Sequence, residues 1–167
     1  MAFSIESFSF NLPFGIGGVS VRRTEEQARA AWALYVELAT RVSHQRLEPR
    51  LGSAREALTS IYSLFETTRT VLRTEGPRTV DGPGSVGPLA IRVLNEGVRP
   101  FLVKWHSELS AFEDQQREAW FKKYGGNAKP VIDESAWEHL SAFYEALEEW
   151  RGDMLDYVAA LAKLAGV

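Results

Sequence analysis

The chain contains no cysteine in its 167 residues. That removes disulfides, thiol catalysis and cysteine-held zinc together. It also lacks any run of about 18 apolar residues, so no membrane-spanning helix and no membrane partner are expected. The first residues, Met1-Ala2-Phe3-Ser4-Ile5-Glu6, have neither a basic region nor an uninterrupted apolar stretch. No signal peptide is therefore expected, and the cytoplasm is the default compartment. A general excess of positive charge is missing too: the formal net charge is −3, which gives no pull toward nucleic acid. Histidine is scarce, at His44, His106 and His139, and neither Glu-x-x-His nor a histidine pair four residues apart occurs, so no metal site is expected. His139 follows Glu138 directly, which on a helix sets the two side chains about 100° apart rather than on one face. The glycine-rich stretch Phe14-Gly15-Ile16-Gly17-Gly18 has no Gly-Lys-Ser/Thr ending and reads as a turn, not a phosphate loop. Nothing of the Gly-x-Ser-x-Gly type points to a serine nucleophile. No cofactor is implied, and the chain is not expected to be an enzyme.

What is present suits one domain spanning 1–167: 45% of residues are apolar and 25% charged, near the average for globular proteins. Residues 1–22 read as a β-hairpin, with Phe3, Ile5, Phe8 and Phe10 alternating across a parity change near Ser7, then a Pro13/Gly15 turn and the β-like run 16–21. A hairpin alone is barely stable, so its phenylalanines must pack on helices. The first helix is predicted from Thr24, where Thr24 and Gln27 have capping-box spacing, with Ala28, Ala31, Tyr35, Leu38 and Val42 on one face. The second is predicted from Ser53, with Ala54, Leu58, Ile61, Phe65, Thr68 and Leu72 inward and Gly76-Pro77 as its stop. Residues 76–87, rich in Gly and Pro, form a predicted flexible loop. A third helix opens near Pro88 and runs toward Tyr124, with a kink or break near Glu96 because Pro100 lacks an N–H and crowds the preceding turn. A last helix is predicted after Asp133, over 134–165, with Ile132 and Trp137 placed as a hydrophobic staple. The predicted fold is mainly α: an up-down four-helix bundle with an N-terminal hairpin and a proline-kinked third helix.

The last helix carries two apolar stripes. Trp137, Leu140, Tyr144, Leu147, Met154, Val158 and Leu161 make one; Phe143, Trp150 and Tyr157 make a second. Together they span roughly 160° of the helix at about 100° per residue, whereas a surface helix needs only a little over 100°. The surplus needs a cover: the hairpin with Phe3, Phe8, Phe10 and Phe14, a partner surface, or a ligand cleft. Glu145, Glu148, Glu149, Asp153 and Asp156 flank the stripes and read as a solvated face rather than an acid/base pair. Residues 1–80 hold ten Lys/Arg against eight Asp/Glu, and 81–167 nine against fourteen. The arginines Arg22, Arg23, Arg29, Arg41, Arg46, Arg50 and Arg55 sit at opposite ends of the first helix and make no single stripe.

Two stretches carry a resemblance: residues 55–65, Arg55 to Phe65, and residues 93–106, Val93-Leu94-Asn95-Glu96-Gly97-Val98-Arg99-Pro100-Phe101-Leu102-Val103-Lys104-Trp105-His106. They resemble small helical bacterial proteins of actinobacterial type with an LNxxxRPFLxxWH signature, which accompany multi-gene conflict or phage-defence systems. The resemblance implies an accessory role and brings no catalytic residues. The signature also reads physically as a joint: Phe101, Leu102 and Trp105 wedge into the core, Arg99 and Lys104 flank the proline, and Asn95 bonds carbonyls that Pro100 leaves unpaired.

The functional expectation is a non-enzymatic interaction or accessory protein whose partner, another protein or a second copy, meets Phe143, Trp150 and Tyr157. The alternative is a small-molecule-binding bundle with a pocket at the proline kink, lined by Asn95, Arg99, Trp105 and His106.

Overall fold

The structure, a computed structural model, describes residues 6–41, 53–126 and 129–167. Phe3, Ile5, Val42, His44, Arg46 and Arg50 lie outside the described residues. The fold is mainly helical, with an N-terminal two-stranded antiparallel hairpin.

Alternating side chains build the hairpin. Strand β1 (Ser7–Leu12) pairs with β2 (Gly17–Arg22) in the register Phe8↔Val21, Phe10↔Val19 and Leu12↔Gly17. The pairing from Ser7 to Leu12 is regular, so the parity change expected near Ser7 leaves no bulge within this strand. Phe8, Phe10 and Leu12 share one face by the two-residue period, and that face packs on the helical core. The turn is closed by the Ile16 amide donating to Pro13 at 3.2 Å. Its central pair, Phe14 (φ 61°) and Gly15 (φ 74°), take the positive angles that match strand twist.

Helix α1 (Glu25–Arg41) begins where the Thr24 hydroxyl accepts from the Gln27 amide at 3.2 Å. The capping box closes on one side only. Gln27 is buried, and its side chain accepts from the Val86 amide (2.8 Å) and donates to the Arg78 carbonyl (3.0 Å). Its buried face is Gln27, Ala30, Ala31, Leu34 and Leu38, turned by a residue from the predicted stripe at Ala28 and Tyr35. Helix α2 (Ala54–Glu75) starts as predicted, with Ser53 as cap, and stops at Gly76-Pro77.

Residues 76–87 were expected to be a flexible loop because of their glycine and proline. Buried Gln27 bridges both ends, the Ser85 hydroxyl accepts from the Asp81 amide and donates to the Gly82 carbonyl, and Gly84 lies so close to β2 that a Cβ would stand 2.5 Å from the Ser20 carbonyl oxygen. These contacts tie the backbone of the loop to α1 and β2.

Helix α3 (Val86–Arg92) passes into a π segment, Val93–Val98, and then into α4 (Arg99–Tyr124) without interruption. The break expected near Glu96 is replaced by wider turns, in which the Arg99 amide donates to Leu94 five residues back. This widening sits directly ahead of Pro100, which has no N–H to give to the preceding turn. The last helix also departs from expectation. Residues 134–136 form a 3₁₀ turn capped by Asp133, and α5 (Leu140–Ala165) begins only after His139. Trp137 is extended at ψ 119° and buried against Trp105 and Phe112 of α4 instead of stapling a helix start.

Pairs of side chains set how these elements meet. Arg29 at the start of α1 bonds Glu75 at the end of α2, and Arg23 donates to the Leu164 and Ala165 carbonyls at the end of α5. At the start of α2, Arg55 forks onto Glu113 of α4 at 2.9 Å through two nitrogens. The Glu134 carboxylate accepts from the Ala54 and Arg55 amides, where a helix N-terminus favours negative charge.

Candidate functional site

The two faces of α4 meet different surroundings, and the inward one is aromatic. Phe101 lies 5.5 Å from Trp150 and 6.1 Å from Phe143 between ring centroids. Trp105 stands edge-on to Phe143 at 5.5 Å and to Trp137 at 6.1 Å. These are the spacings at which ring quadrupoles attract. The Trp150 indole N–H donates to the Gly97 carbonyl in the π segment at 3.2 Å, fully enclosed. Asn95 was expected to take up carbonyls freed by the proline, but its Oδ1 accepts from Arg99. From the far side the Phe14 ring rests on Gly97 so closely that a Cβ there would come within 3.0 Å of it.

Three expected partner-facing residues are thereby corrected. Phe143 is fully buried, Trp150 is 6% exposed and Tyr157 is 4% exposed. Trp150 faces α4 and the π segment, and Tyr157 lies where the hairpin meets α5, beside a cavity of about 20 Å³ ringed by Phe10, Leu12, Val21 and Leu161. The surplus apolar arc is covered from within the chain. Among the described residues the Tyr157 hydroxyl finds no hydrogen-bond partner, and burial pushes its pKa up, so it stays neutral. Trp105 is likewise removed from the expected pocket: it is buried, with the Lys104 ammonium 4.4 Å from its ring.

The outward face of α4 forms an open groove with α2, about 740 Å³ in volume. One wall is the α4 succession Arg99, Leu102, Val103, His106, Ser107 and Ser110, a single face at helical spacing. The other is Tyr62, Phe65 and Arg69 of α2. From Arg99 to Asp114 it runs about 22 Å, at 1.5 Å per residue. Tyr62 is 67% exposed and Val103 66%, so apolar surface here meets solvent. Phe65 forms the floor and carries two guanidinium groups, Arg99 at 5.1 Å and Arg69 at 5.8 Å from the ring centroid. Of the four residues expected at a kink pocket, Arg99 and His106 line this groove, Asn95 holds Arg99, and Trp105 is excluded. The α2 wall went unpredicted. Its signal was Tyr62, a large aromatic one residue off the apolar stripe of its helix.

A second depression, about 270 Å³, opens between α1, α2 and α5 with Ala57, Ile61, Leu147 and Trp150 beneath Arg41 and Arg151. The acidic flank of α5 is solvated: Glu145, Glu149 and Asp156 are exposed. Burial, with Asp156 and Glu149 nearby, raises the Asp153 carboxyl above its ordinary range. His139 is exposed beside Glu138. Among the described residues no group of three His, Asp or Glu side chains is placed to hold a metal, and no helix is long and apolar enough to cross a membrane. Comparison with protein-family models, with curated proteins and with solved structures finds no match.

Proposed function

We propose that this chain is a non-enzymatic interaction protein that holds a helical segment of a partner protein in the α2–α4 groove. One observation carries the reading: a continuous 22 Å face of α4, about the length of a fifteen-residue helix, is left with exposed Val103 and Tyr62 as its apolar contacts. Grooves of this kind take amphipathic helices through anchors three, four and seven residues apart. The groove is open along its length, which suits a chain segment better than an enclosed small ligand. Antiparallel contacts of Arg29 with Glu75, Arg55 with Glu113, and Trp150 with Gly97 support reading the scaffold as an up-down bundle whose third helix bends at the π segment. An accessory part in a bacterial conflict system is the setting implied by the likeness of residues 93–106.

A photo-crosslinking residue placed at Val103 in the host cell tests this. A protein adduct formed from position 103, absent from a control crosslinker at Glu149 and lost on Tyr62→Glu, is the expected result. Equal adducts from both positions, or none, would sink the proposal. The second reading, a small ligand, attaches to the depression over Trp150. It predicts a change in tryptophan emission on ligand binding that Arg151→Ala abolishes.

A further inference from the structure

Resting on the groove reading, we infer that the docked segment is an acidic amphipathic helix, anchored by a side-chain carboxylate on the paired guanidinium groups of Arg69 and Arg99. These groups sit on the Phe65 ring at the end of the groove nearest the π segment. A guanidinium held over a ring keeps N–H groups for a carboxylate: Arg69 uses only Nη1, on Glu66, and Arg99, whose Nε and Nη2 go to Asn95, keeps Nη1.

The charge around this end is unbalanced. Arg99 gives its Nε and Nη2 to Asn95 Oδ1, both at 3.3 Å, and that acceptor is neutral. No carboxylate lies within ion-pair distance of Arg99 among the described residues. Among the described residues Glu66 is shared between Arg69 at 3.5 Å and Arg73 at 3.9 Å, and Glu96, one turn before Arg99, is held by Arg92 at 2.9 Å. Four arginines against two glutamates leave a local positive excess on a chain whose net charge is −3. At the opposite end Asp114 is already bonded to Arg117 at 2.7 Å. An incoming helix therefore meets positive charge at the Arg99 end and apolar Val103 and Leu102 one turn further along.

The acidic face of α5 in a second copy, Glu145, Glu149 and Asp156, offers little beyond alanine and glycine to cover Val103 and Tyr62. The inferred occupant is a separate protein with acidic and apolar anchors on one helix face.

The test is selection of a displayed library of randomised amphipathic helices, about fifteen residues long, on the intact chain. The Val103→Glu, Arg69→Gln and Arg99→Gln variants alter exposed residues, and circular dichroism verifies their folding. The expected outcome is a set of binders rich in Asp or Glu at one end. Val103→Glu abolishes their binding, and Arg69→Gln with Arg99→Gln weakens it by about tenfold or more, the worth of a charge-assisted pair. Binders that need Val103 but lack acidic enrichment, or tolerate loss of both arginines, overturn the carboxylate anchor and leave the groove standing. If no selected helix depends on Val103, the groove reading itself falls.

Discussion

The aromatic residues that meet the inward and the outward face of α4 serve opposite ends. Inward, Phe101 and Trp105 meet Phe143 and Trp150 in a ring-on-ring cluster whose one indole hydrogen bond reaches a backbone carbonyl. Outward, Phe65 is covered by two cations and flanked by exposed Tyr62 and Val103. An aromatic packed on aromatics has nothing left to offer a partner. One packed under guanidinium groups presents charge and apolar surface together. The face proposed for binding differs from the core in how its aromatics are covered, and not in how numerous they are.

Breaking the inward face should have the largest effect. Phe143→Ala, at a fully buried ring, is expected to cost about 3–5 kcal/mol in denaturant unfolding. Val103→Ala on the outward face is expected to stay within about 0.5 kcal/mol. Near-equal losses would erase the distinction between the faces. Gly97→Ala comes next: the new methyl group would press into the Phe14 ring, and overpacking of this kind costs about 1–3 kcal/mol. A companion Phe14→Ala should restore most of that loss if the ring is its cause.

A smaller effect of opposite sign is expected at Tyr157. Its buried hydroxyl finds no partner among the described residues, so Tyr157→Phe should be neutral or gain about 1 kcal/mol, read as a higher unfolding midpoint. The smallest is pH-dependent. The Asp153 carboxyl is raised in the folded state, first by burial and then by Asp156 and Glu149, so the folded protein binds its proton more tightly than the unfolded chain does. The group is destabilising above its folded pKa, and that penalty fades as pH falls through the unfolded value. Asp153→Asn should raise the melting temperature slightly at pH 7, with the gain vanishing in acid.

Much of this fold was legible because helix and strand periods differ. The stripe Ala54, Leu58, Ile61 and Phe65 gave α2, and the Phe8/Phe10 alternation gave β1. The start of α5 was not legible, since Trp137 has helical spacing with Leu140 and Tyr144 yet is pulled into the aromatic cluster in extended form. The π segment was half legible: Pro100 announced a disturbance, but local spacing does not tell a widened helix from a broken one, nor that the Trp150 indole, more than fifty residues away, bonds the Gly97 carbonyl. The second aromatic stripe of α5 was seen and misassigned. A helical wheel shows that an arc is too wide for one neighbour, but not that two further elements lie against it. The groove joins α2 to α4, and no local pattern records which faces of two helices are left open.

The side of β1 that carries Phe8, Phe10 and Leu12 rests near Tyr157, Ala160 and Leu161 of α5, with Lys163 over the first two rings. A ribosome makes those phenylalanines more than a hundred residues before the helix that receives them. A lone hairpin has little stability of its own, so these strands, made before α5, find their seat only after it. Until α5 emerges, that greasy strand has no seat and stays open to a chaperone.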